Sequence, residues 1–262
     1  ALALKAGDPV THYNLGAVLQ AQARWAESAA AYRQAVLLQP DFAPAHYNLG
    51  TVLEELGDAA GAETCYRRVL QWQPDDVLAC YNLGRLLQHG DRPRDAEACY
   101  RQVLALQSGF VDAHHNLALV LKALGALAEA EAHCRRALEL QPGSAAVLNS
   151  LGLVLHAQDR LAEAEQTLRA AVALDPGFAD AHGNLGKVLH DQERFAEAES
   201  CLRLALELKP ESAEMHTNLG ATLVALSRPE AAEQNYRLAL QLKPGNADYL
   251  YNLGYALQEQ SR

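Results

Sequence analysis

Apolar positions in this chain form short stripes at helical spacing, and the stripes recur. Within 43–76, Asn48, Leu49, Val52, Leu53 and Leu56 predict one side of a first helix. Gly57-Asp58 breaks it. Ala59 to Leu70 predicts a second helix with Ala62, Tyr66 and Val69 on one side. Pro74 ends that helix, because proline cannot continue one. The tripeptide Asn-Leu-Gly begins at Asn14, Asn48, Asn82, Asn184, Asn218 and Asn252, with Asn-Leu-Ala at Asn116 and Ser-Leu-Gly at Ser150. Neighbouring copies are always 34 residues apart, without insertions. Four further landmarks keep the same step. They are Pro40, Pro74, Pro142, Pro176, Pro210 and Pro244, with Ser108 in the gap; a small residue from Ser28 and Ala62 to Ala232; a bulky one from Tyr32 and Tyr66 to Tyr236; and an alanine or valine from Ala35 to Ala239.

Glycine inside a helix costs about 1 kcal/mol relative to alanine. Its return in seven of eight copies therefore predicts a close helix crossing. One helix pair cannot bury enough apolar area by itself, whereas stacked pairs can. The expected fold is all-α: a right-handed superhelical solenoid of stacked antiparallel helix pairs. It runs over 1–262 as one array, with 1–8 ending a preceding repeat and full repeats at 9–42, 43–76, 77–110, 111–144, 145–178, 179–212 and 213–246. Residues 247–262 begin a further repeat.

Composition narrows the function classes. Half the residues are hydrophobic but only 6% are aromatic, which favours close-packed helices over a β-sandwich. A net charge of −10 argues against nucleic-acid binding and against docking on anionic membranes. No apolar run reaches the roughly 18 residues of a membrane span. Motifs for a phosphate-binding loop, a zinc site or a nucleophile elbow do not occur, so no catalytic residue, metal or cofactor is expected. His12, His46, His114, His182 and His216 stand once per repeat, too far apart to share one ion, and are expected to fill space against the neighbouring helix. Five cysteines, an odd number, are read as free thiols in a reducing, cytoplasmic setting.

A 34-residue unit with Leu-Gly, Ala, an aromatic, then Ala and Pro resembles the tetratricopeptide repeat over the whole chain. The motifs Ala-His-Tyr-Asn-Leu-Gly at 45–50 and Ala-Asp-Ala-His-Gly-Asn-Leu-Gly at 179–186 are similar to the repeat regions of O-GlcNAc transferases and related bacterial proteins. That resemblance implies that first helices line an inner wall. It also implies that Asn14, Asn48, Asn82, Asn116, Asn184, Asn218 and Asn252 hold the backbone of an extended protein or peptide client. A carboxamide both donates and accepts, so it can pair with a peptide unit in both directions. Asn is a mediocre helix former, so local propensity does not explain its retention. Bonding to the next repeat, or simple duplication, would also retain it. Tyr13, Tyr47, Tyr81 and His115 flank the row, and either contact the client or brace adjacent repeats. Arg85, Lys122 and Lys187 add positive points suited to acidic side chains.

The expected function is a non-catalytic binding scaffold. Two alternatives stand beside it: the recognition region of a larger glycosyltransferase or sulfotransferase, and a self-assembling scaffold. The last fits a final helix, Tyr249 to Gln258, that lacks a partner and leaves Leu253 and Leu257 poorly covered.

Overall fold

The computed structural model describes residues 7–260. Among them are fifteen α-helices and no strand. The first helices of the repeats are α1 (Pro9–Ala21), α3 (Ala43–Glu55), α5 (Val77–His89), α7 (Val111–Ala123), α9 (Ala145–Ala157), α11 (Ala179–Asp191), α13 (Ala213–Ala225) and α15 (Ala247–Gln260). The second helices are α2 (Trp25–Leu38), α4 (Ala59–Trp72), α6 (Pro93–Leu106), α8 (Leu127–Leu140), α10 (Leu161–Leu174), α12 (Phe195–Leu208) and α14 (Pro229–Leu242). The chain forms two compact units, one ending at Leu124 and the other beginning at Gly125. The proposed end of a preceding repeat falls mostly on residues 1–6, outside the described residues.

The predicted elements form, with two adjustments. Leu56, assigned to the apolar stripe, lies just past the end of α3 and is 44% exposed. Second helices run two residues further than the spacing suggested, so α4 reaches Trp72. They stop where the residue before the proline turns extended, as at Gln73 (φ −130°). Gln107 adopts the same conformation (φ −139°) before Ser108, so the turn forms without the proline.

Turns inside each repeat need a left-handed residue at a fixed position. Gly57 and Gly125 occupy it, but so do Ala23, Asp91, Asp159, Glu193 and Ser227, with φ between 55° and 61°. Only some of these turns are therefore legible as glycine breaks.

Crossing glycines do what their recurrence predicts. A Cβ added at Gly16, Gly50 or Gly84 would lie 2.6–2.9 Å from the ring of Tyr32, Tyr66 or Tyr100 in the same repeat. At Gly152 and Gly186 it would lie 2.6 Å from Cγ of Leu168 and Leu202, and at Gly220 it would lie 2.7 Å from Tyr236. The absence of a side chain lets the ring or leucine sit on the helix backbone, and these large groups are fully or almost fully buried. Gly254, on α15, meets nothing within 4 Å. Leu253 beside it is half-buried and packs against the core cluster that contains Leu219, Leu223 and Tyr236, whereas Leu257 is exposed.

Second helices are also joined by charge, in a pattern that the sequence reading missed. Glu63, Glu131, Glu165 and Glu199 each accept from an arginine one turn on (Arg67, Arg135, Arg169, Arg203). Each also accepts from an arginine at the start of the next second helix (Arg92, Arg160, Arg194, Arg228) at 2.6–2.9 Å. Burial pushes these carboxyls up, but the arginine hydrogen bonds outweigh it and hold them below the usual carboxylate range.

Candidate functional site

The repeated Asn lies on a first helix in every repeat except the one at 145–178, where Ser150 takes its place. Asn14 is exposed; Asn48, Asn82, Asn116, Asn184, Asn218 and Asn252 are half-buried. Their surroundings follow from the residue 35 positions earlier, which stands one place before the preceding rung. Asn48 Nδ2 donates to Tyr13 Oη at 3.2 Å, Asn82 to Tyr47 at 3.0 Å and Asn116 to Tyr81 at 3.0 Å. The tyrosines are fixed in turn by their own repeats. Tyr13, Tyr47 and Tyr81 pack against Tyr32, Tyr66 and Tyr100 with ring centroids 5.8–5.9 Å apart. Phe42 and Phe110 cover Tyr13 and Tyr81. Burial raises the Tyr47 and Tyr81 hydroxyls above their ordinary pKa, so they serve as neutral hydrogen-bonding groups.

In the second unit the partner changes. Asn149 stands in the tyrosine register, and its Oδ1 accepts from Asn184 Nδ2 at 2.8 Å. This explains the carboxamide that sits one residue early beside Ser150; the signal was its register, not its identity. The next two tyrosine positions are Gly183 and Thr217. Met215 fills the space over Gly183, reaching 3.0 Å from where a Cβ would stand. Thr217 Oγ1 turns back to the Ala213 carbonyl. Among the described residues no hydrogen bond reaches the side chains of Asn218 and Asn252, and none reaches Asn14.

The other predicted contacts are placed as follows. Arg85 bridges Asn82 Oδ1 and Glu54, both at 3.5 Å. Lys122 and Lys187 are half-buried and make no ion pair among the described residues. His115 is half-buried, and burial holds its imidazole below the ordinary value against the pull of Asp112. An open pocket of about 230 Å³ joins Tyr13, Tyr47 and Asn48 to Gln73 and Asp76. Gln73 and Asp76 were not foreseen, because neither belongs to the first-helix stripe.

The recurring histidines have a second role besides filling space. The Nε2 atoms of His46, His114, His182 and His216 lie 2.9–3.1 Å from the carbonyl oxygens of Pro40, Ser108, Pro176 and Pro210, six residues earlier. Each ring nitrogen donates to a turn carbonyl that the ending helix leaves unpaired. All five cysteines are free; burial pushes Cys65 up to about 11 and Cys134 up to about 12. Among the described residues no group of three or more His, Cys, Asp or Glu is placed to hold a metal ion. None of their helices is long and apolar enough to cross a membrane.

Family profiles for the tetratricopeptide repeat match residues 41–108 and 110–176, 155–221 and 213–246, and a further TPR repeat profile matches 21–57. The chain belongs to the tetratricopeptide repeat family. No curated protein sequence matches this tetratricopeptide repeat chain. Among solved structures, a tetratricopeptide repeat protein from Parabacteroides merdae is 14% identical with a TM-score of 0.81, the match covering 95% of this chain and 98% of that one. A chain of the APC/C hetero-tetramer Cut9-Hcn1 is 17% identical with a TM-score of 0.77; the match covers 97% of this chain but spans only 47% of that one. YrrB, described as a TPR protein with an unusual peptide-binding site, is 22% identical with a TM-score of 0.51 over 71% of this chain and 96% of its own. These likenesses show the fold. Tetratricopeptide repeats generally mediate protein or peptide binding.

Proposed function

We propose that the first-helix face of this repeat protein holds an extended protein or peptide segment through its row of asparagines. The observation that carries the reading is the orientation of the tied rungs. Asn48, Asn116 and Asn184 are anchored through Nδ2, and their Oδ1 atoms have no hydrogen-bond partner among the described residues. Anchored acceptors need little ordering when a peptide N–H arrives, which is where preorganisation favours affinity. The peptide-binding site described for YrrB lends the same direction to the reading. Arg85, Lys122 and Lys187 suit a client with acidic side chains, and the buried free thiols suit a reducing, cytoplasmic setting.

The test is retention of a pool of degenerate decapeptides, blocked at both ends, on the immobilised chain. Replacing Asn48, Asn82, Asn116, Asn184 and Asn218 together by Ala should lower retention at least tenfold while far-ultraviolet circular dichroism still reports helix. Equal retention by the variant would refute the reading.

A second reading, the recognition region of a larger glycosyltransferase or sulfotransferase, is supported by the motif at 45–50 and predicts such a domain in the same gene. Self-association through α15 is supported by exposed Leu250, Tyr251 and Leu257, and predicts concentration-dependent sedimentation.

A further inference from the structure

We infer that the second unit sets the register of the bound segment: its backbone pairs with Asn218 and Asn252, and one acidic side chain meets Lys187. This rests on the reading above and adds where the segment lies and what it carries. Anchored rungs and open rungs differ chemically. An amide whose Nδ2 already donates to a neighbouring oxygen offers chiefly its carbonyl. Asn218 and Asn252 stand in register with Gly183, which Met215 covers, and Thr217, whose hydroxyl donates to the Ala213 carbonyl, and no hydrogen bond ties either asparagine side chain to another described residue. Both therefore keep donor and acceptor for one peptide unit.

Charge identifies the partner. Lys187 lies three residues after Asn184, one helical turn along the same face of α11. The nearest acid on that face, Asp191, is engaged by His156 at 2.6 Å. The equivalent positions on α13 and α15 are Ala221 and Tyr255, neither of them a counter-ion. A half-buried lysine that makes no ion pair among the described residues, in a chain of net charge −10, favours a carboxylate from outside. Tyr251 and Tyr255 flank Asn252 at 75% and 47% exposure and give side chains of the segment an aromatic surface. From α11 to α15 is two helix spacings of roughly 9–10 Å each. About six extended residues at ~3.3 Å cover that distance.

The same blocked decapeptide pool, read by sequencing what the full chain retains, tests this. The expected result is enrichment of Asp or Glu at one position. Asn218→Ala with Asn252→Ala should lower retention about tenfold, and Asn48→Ala with Asn82→Ala should lower it by a smaller factor, about threefold, because those rungs offer the segment chiefly an acceptor. Lys187→Met should keep most retention and erase the acidic enrichment. Loss with the Asn48/Asn82 pair but not with the Asn218/Asn252 pair would overturn the register and leave the binding face standing. Acidic enrichment that persists in Lys187→Met would overturn the charge assignment. If the unaltered chain retains nothing, both this inference and the reading beneath it fall.

Discussion

One substitution, made at two equivalent positions, should change stability in opposite directions. Gly186 and Gly254 hold the same place in their repeats. Alanine is worth about 1 kcal/mol more than glycine in a helix interior. At Gly186 the new methyl would stand 2.6 Å from Leu202 Cγ and 3.3 Å from the Ala198 carbonyl oxygen. Cγ is the branch atom of a fully buried leucine, so it cannot swing aside as a chain end would. Overpacking of this kind costs roughly 1–3 kcal/mol. Set against the propensity gain, Gly186→Ala should therefore lose up to about 2 kcal/mol net. At Gly254 the methyl meets nothing within 4 Å, so the propensity gain of about 0.5–1 kcal/mol remains. Thermal and urea unfolding would measure the first, at about 2–4 °C per kcal/mol for a chain of this size. Amide exchange along α15 would measure the second, because a terminal helix opens locally before the array unfolds. Shifts of the same sign at both positions would refute the packing argument and leave only helix propensity.

Glycine should help at the left-handed turn positions: Glu193→Gly and Ser227→Gly, at φ 61° and 57°, should each raise stability by about 0.5–1 kcal/mol and add when combined, as urea midpoints would show. Acid should loosen the ladder on the second helices. Glu63, Glu131, Glu165 and Glu199 have depressed folded values, so their stabilisation is present above the ordinary value near 4.5 and lost as pH falls through the folded ones. The melting temperature should hold from pH 7 to about 5 and fall below about 4.5, and Glu165→Gln should flatten that fall. Cys65 and Cys134, raised to about 11 and 12, should resist iodoacetamide at pH 8 in the folded chain and react in urea, followed by mass spectrometry.

Much of the fold was legible because one spacing carried it. The 34-residue step placed every helix, and the recurring glycine marked the close crossing in most repeats, though not the ring or leucine that fills it. Leu56 misled because periodicity continues past a helix end that a turn residue decides. Left-handed turns at Ala23, Glu193 and Ser227 were hidden because the surrounding helices, not the residue, impose the conformation. The candidate site was harder to read. That Asn recurs was plain; that Asn48 donates to Tyr13 depends on a distance of 35 residues, one more than the repeat, which comparison of equivalent positions passes over. The consequence reaches the mutagenesis. Removing an anchored rung also removes a bond between repeats, worth about 1 kcal/mol, so binding and stability change together there. At Asn218 and Asn252 they separate.

A track of identical rungs has no origin: a segment displaced by one repeat would find the same contacts and lie there equally well. The exchange of tyrosine for Asn149, Gly183 and Thr217 at successive positions removes that translational degeneracy. It gives an otherwise periodic row of residues a phase, so that a segment held as proposed would have one place to stop.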